Sequence, residues 1–102
     1  MSKEYEAVRH VLTSPKIAGR TAPYIHDDDF DFSGLSREAE TMSVGEALLV
    51  RIGHELWHAE KRAGLWELVR RLDKLNFERV LEALQMARGA RVWDRAIWEV
   101  AA

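Results

Sequence analysis

Two imidazoles one helical turn apart, His54 and His58, with Glu55 beside the first, spell HELWH at residues 54–58. Side chains at i and i+4 of a helix share a face, so the pair could take two positions on a zinc ion. A catalytic zinc needs a third protein ligand at about 2 Å and keeps one position open for water. Glu78 is the candidate third ligand, with Glu82 one turn later. Glu55 would then polarise the metal-bound water as a general base.

The spacing from His58 to Glu78 resembles that of thermolysin-like zinc metallopeptidases. The resemblance rests on the five-residue motif and one glutamate. It implies zinc on His54, His58 and Glu78, and peptide hydrolysis with Glu55 as the catalytic residue. Rotation along the helix opposes it. With Val44 at 0° and about 100° per residue, Leu48, Leu49, Ile52, Leu56, Ala59 and Ala63 cluster near 90°, while His54 and His58 fall near 280° and 320°. The histidines therefore read as a polar, outward face, although Ala47, Val50 and Trp57 share that side as a second apolar surface. Glu78 and Glu82 likewise fall off the apolar stripe of their own helix. Arg51, Lys61 and Arg62 lie within a turn of the pair and repel a dication. The residues after His58 are charged, and no strand upstream of residue 44 is evident to edge a cleft. The E-x-x-H of di-iron bundles is also present at Glu55 and His58, but that site needs a second copy.

A second oxygen-rich stretch, DFDFSGLSREAE at residues 29–40, resembles an EF-hand calcium loop. Asp29, Asp31 and Ser33 stand at positions 1, 3 and 5, with Gly34 at 6 and Glu40 at 12. Pro23 precludes an entering helix, and Ser36 occupies the usual aliphatic position. An acidic turn leading into a helix explains the same letters without metal.

Composition narrows what must position these groups. The chain has 102 residues, one domain's worth, with 47% apolar residues to build a core and 31% charged residues to cover it. The net charge of −2 gives no global field toward nucleic acid or an anionic membrane. With no cysteine, disulfides, thiolate metal sites and a cysteine nucleophile are excluded, and a reducing, cytoplasmic setting is expected. The first residues lack the apolar run of a signal peptide, and Ala47–Val50 is too short to span a bilayer. Residues 1–50 carry 5 Lys/Arg against 9 Asp/Glu and residues 51–102 carry 10 against 8, so the halves are weakly complementary.

Helical periodicity predicts a helix over 3–12, capped by Ser2 and buried through Tyr5, Val8, Val11 and Leu12. Residues 13–36, rich in Pro, Gly and Asp, predict an irregular, extended acidic segment, pinned by Tyr24, Ile25, Phe30 and Phe32. Ser43 and Glu46 form a capping box for a helix from about Val44 to Ala63, with Gly64 as its C′ residue. A third helix over 65–74 has Leu65, Leu68, Val69 and Leu72 in one stripe. The apolar phase then jumps, placing a break near Asp73–Asn76 before a fourth helix, 77–88, with Phe77, Val80, Leu81, Leu84 and Ala87 inward and Gly89 closing it. A fifth is expected over 91–101. The expected fold is all-α: a small bundle of four to five helices, its helical core spanning about 43–101, with the acidic segment packed on it.

Helices three and four have a helix-turn-helix outline, and Arg70, Arg71, Lys74 and Arg79 could form a basic patch. Glu67, Glu78 and Glu82 interleave with them, so a solvated face is expected rather than a nucleic-acid site. Trp57, Trp66, Trp93 and Trp98 lie on too many sides for one core of this size. At least one is expected in a homodimer or partner interface. The sequence thus favours a non-catalytic, self-associating protein-interaction module without cofactor, with a minimal zinc metallopeptidase as the alternative.

Overall fold

A computed structural model describes residues 2–89. The expected fifth helix, with Trp93 and Trp98, lies outside them. Six α-helices occur among the described residues: α1 (Lys3–Leu12), α2 (Ala18–Thr21), α3 (Phe32–Ala39), α4 (Val44–His58), α5 (Leu65–Arg71) and α6 (Lys74–Arg88). A 3₁₀ turn (Ala22–Tyr24) follows α2. The strands β1 (Ile25–His26) and β2 (Asp29–Phe30) pair antiparallel, Ile25 opposite Phe30. Asp28 turns this hairpin with φ 64°. The fold is all-α, as the periodicity predicts, and no described helix is long and apolar enough to cross a membrane.

The helices start where local chemistry dictates. Ser2 accepts the Tyr5 amide, Asp31 that of Gly34 and Asp73 that of Asn76. Ser43 and Glu46 form the reciprocal capping box. Each device satisfies donors that a helix start leaves orphaned. Glu67 accepts the Gly64 amide at 3.1 Å, so Gly64 opens α5.

α1 is the centre of the bundle. Ala7, Val8, Val11 and Leu12 are buried between α4, which contributes Leu48, Leu49 and Ile52, and α6, which contributes Val80 and Ala83. Small residues set the spacing. A Cβ built on Gly53 of α4 would stand 3.1 Å from a Leu12 methyl. The buried Ser14 hydroxyl donates to the buried Asn76 side chain at 2.5 Å, tying the end of α1 to the start of α6. Thr21 donates to the Leu12 carbonyl at 2.6 Å and fastens α2.

Three expectations need correction. The segment 13–36 is not extended throughout, because it holds α2, a 3₁₀ turn, a hairpin and the start of α3. Asp31 caps α3, and Phe32, Leu35 and Ala39 give it an inward face. Second, α4 stops at His58, not Ala63. Ala59 takes the left-handed conformation, φ 57°, ψ 31°, and turns the chain out of the helix. Third, the break after α5 falls at Leu72–Asp73, with Asp73 as the cap, so α6 begins at Lys74.

Candidate functional site

The HELWH face is only partly covered: His54 and Trp57 are half-buried, while His58 stands exposed as an outward-facing histidine would. Phe32 of α3 stacks flat on His54, ring centroids 4.5 Å apart at 3°, and meets His58 edge-on at 5.9 Å. The two imidazoles are 4.9 Å apart. Beside them Trp57 meets Phe30 edge-on at 5.1 Å, and Tyr5 stacks on Phe30 at 4.8 Å. The Tyr5 hydroxyl donates to the His26 carbonyl at 2.5 Å, which clamps the hairpin over this cluster. α4 is therefore packed on two sides: α1 takes the Leu48–Ile52 face, and the hairpin and α3 cover His54 and Trp57, leaving His58 exposed at the edge. The signal for this was in the sequence, in Val50 and Trp57 sharing the histidine side. Trp57 is half-buried in this intramolecular cluster rather than standing free as an interface residue.

Glu55 is engaged elsewhere. Its Oε1 accepts the backbone amides of Arg62 at 2.8 Å and Ala63 at 2.9 Å, folding the 59–64 loop back onto α4. Arg51 donates to the Arg62 carbonyl and pairs with Glu67 at 2.8 Å, joining the same loop to α5. The Arg51 guanidinium, with the Gly64 amide, holds the Glu67 carboxyl down at about 2. Burial, then the positive field of Arg62 and of His58, hold His54 below its ordinary value of 6.5.

Glu78 sits on α6 and lines a groove beside Ser14, Pro15 and Asp73, which includes neither His54 nor His58. Among the described residues no three His, Cys, Asp or Glu side chains gather as a metal-binding group. His54, His58 and Glu78 are thus not brought together. The calcium-loop letters are spread over unlike elements: Asp29 is in β2, Asp31 caps α3, and Ser33 and Gly34 lie inside α3. A Cβ on Gly34 would fall 2.3 Å from the Tyr24 ring, so this glycine serves a close contact and not a loop turn. The basic patch is also dispersed. Arg79 donates to the His10 carbonyl at 2.6 Å and to Thr13, while Arg70 lies over the Trp66 ring at 5.0 Å.

What stands exposed is apolar. Leu65, Trp66 and Val69 of α5 are 84%, 68% and 57% accessible, and Leu75 at the start of α6 is 77% accessible. Leu65 and Val69 were expected inside. Only Leu68 and Leu72 pack on the core, because apolar residues wrap more of this seven-residue helix than α4 can cover. Next to α5, the first turns of α6 and the Ser14–Lys16 loop border an open groove of about 760 Å³, which also includes Leu75, Leu81 and Glu82. The width of the apolar arc at Leu65, Trp66, Leu68 and Val69 was the sequence signal for this surface. No protein-family model matches the chain, and no curated protein or solved structure matches it.

Proposed function

We propose that this chain is a non-catalytic protein-interaction module that self-associates through the outer face of α5. The observation that carries this reading is the exposure of Leu65, Trp66 and Val69 on one short helix. Exposed apolar side chains grouped with an aromatic anchor are the usual makings of a protein interface. Arg70 over the Trp66 ring adds the second residue type enriched at such anchors. The absence of cysteine suits a reducing compartment such as the cytoplasm. Against the hydrolytic alternative stand the engagement of Glu55 by two loop amides and the separation of Glu78 from the histidines.

Sedimentation of the purified chain tests this. The wild type is expected to form a concentration-dependent dimer. Trp66→Ser is expected to weaken it by at least tenfold, about 1.4 kcal/mol, with the fold intact by circular dichroism. A wild type that stays monomeric at several hundred micromolar would sink the proposal. So would stoichiometric zinc in the purified protein with peptide hydrolysis lost in Glu55→Gln.

A further inference from the structure

We infer that the partner is a second copy seated reciprocally: the α5 face of each chain enters the groove between the Ser14–Lys16 loop and α6 of the other. The inference rests on the interaction-module reading above and adds where on the partner α5 binds.

A two-fold dimer requires one self-complementary patch. The chain carries both halves of one. The projecting half is Leu65, Trp66 and Val69, and the receiving half is the groove with Leu75, Leu81 and Pro15 on its wall. Only Leu72 and Asp73 separate α5 from α6, so the two halves adjoin and can be satisfied together across a two-fold axis. Charge is matched. The α5 face is bordered by Arg70 and Arg71, both exposed. The groove is bordered by Glu78, which has no ion-pair partner among the described residues, and by Glu82, 54% accessible beside His10. Its own cations are occupied, Lys16 by Asp73 at 2.5 Å and Arg79 by backbone carbonyls. The groove lining thus carries three carboxylates, Asp73, Glu78 and Glu82, against two cations, Lys16 and Arg79, while the exposed charges bordering the α5 face are Arg70 and Arg71. Direct pairing of two α5 helices would leave both grooves empty.

A charge exchange tests this. One variant carries Arg70→Glu with Arg71→Glu, and the other carries Glu78→Arg with Glu82→Arg. All four positions are surface sites, and thermal melts check that both variants fold. Alone, each sets like charges against each other in both contacts, and its dimer is expected to weaken by about tenfold or more. Mixed one to one, both contacts of the mixed dimer regain opposite charges, and affinity is expected within a few-fold of wild type. Leu81→Ser, in the groove wall, is expected to weaken the wild-type dimer as Trp66→Ser does. If Trp66→Ser abolishes dimerisation while the Glu78→Arg/Glu82→Arg variant alone dimerises like the wild type, α5 pairs with α5. The reciprocal arrangement then falls and the module reading stands. A monomeric wild type overturns both.

Discussion

His54 lies flat against Phe32, and that stack is best served by a neutral imidazole. Burial, Arg62 and His58 all disfavour its charged form, with Glu60 the single opposing influence. A histidine whose folded pKa is depressed binds its proton less readily than the unfolded chain does. Stability is then full above the ordinary value of 6.5 and falls as pH drops through that value toward the folded pKa. The melting temperature is expected to decline between pH 7 and 5, and His54→Phe, which keeps a ring on Phe32, is expected to flatten most of that slope. An unchanged slope in the variant would contradict this account. Glu67 acts in a separate window. Its carboxyl is held at about 2, so its contribution is complete above the ordinary 4.5 and is lost only in stronger acid. The residue that a catalytic motif would make a base, Glu55, works instead as the acceptor for two loop amides.

At the scale of elements, α4 ends at a cost. Ala59 sits at φ 57°, a conformation in which an L side chain crowds its own carbonyl by about 1–2 kcal/mol. Ala59→Gly removes the crowding, offset in part by the greater chain entropy of glycine. A net gain of about 1 kcal/mol is expected, which would raise the melting temperature by about 4–8 °C for a domain near this size. A lower melting temperature would show that the turn is not strained as described. The sequence reading ran α4 on to Gly64 because glycine is the usual left-handed residue, and the Glu55 contacts that hold the turn at Ala59 are tertiary. The same division runs through the fold. The starts of α1 and α4 were legible because Ser2, and Ser43 with Glu46, act within three or four residues. The buried face of α6 was legible only in part. Periodicity placed Val80 and Ala87 inward, as they are, but it also favoured Phe77, Leu81 and Leu84, while the residues that join Val80 in the core are Asn76 and Ala83. Small side chains let α1 approach, and Ser14 satisfies Asn76. α3 hid in an acidic, glycine-containing stretch, its three inward apolar residues masked by the polar letters between them. Of the candidate site, Trp66 was legible as a side chain with no core to enter. Leu75 was not, since its exposure depends on where α5 ends.

Across the whole molecule, apolar surface is unevenly spent. α1 is enclosed by α4 and α6, and the aromatic cluster closes the hairpin and α3 over the far side of α4. α5 packs chiefly on α4 and leaves three of its apolar residues in water, with Leu75 beside them. A molecule built this way gains stability when that elbow is covered, and the gain depends on how much of the covering partner is present. If the partner is a second copy, unfolding is linked to dissociation. Each tenfold rise in concentration above the dissociation constant then adds about 1.4 kcal/mol per dimer. Shared over the roughly doubled unfolding entropy of two chains, that corresponds to about 2–4 °C. Calorimetry over a hundredfold concentration range is expected to show the wild-type melting temperature climbing by this increment per decade, while Trp66→Ser, with its weaker dimer, begins to climb only at a concentration at least tenfold higher. A wild type whose melting temperature ignores concentration would mean that the exposed elbow meets no second copy. Because the readout is thermodynamic, it detects a dimer too short-lived to survive a column. It also separates association through α5 from aggregation of unfolded chains, which would lower the apparent melting temperature as concentration rises.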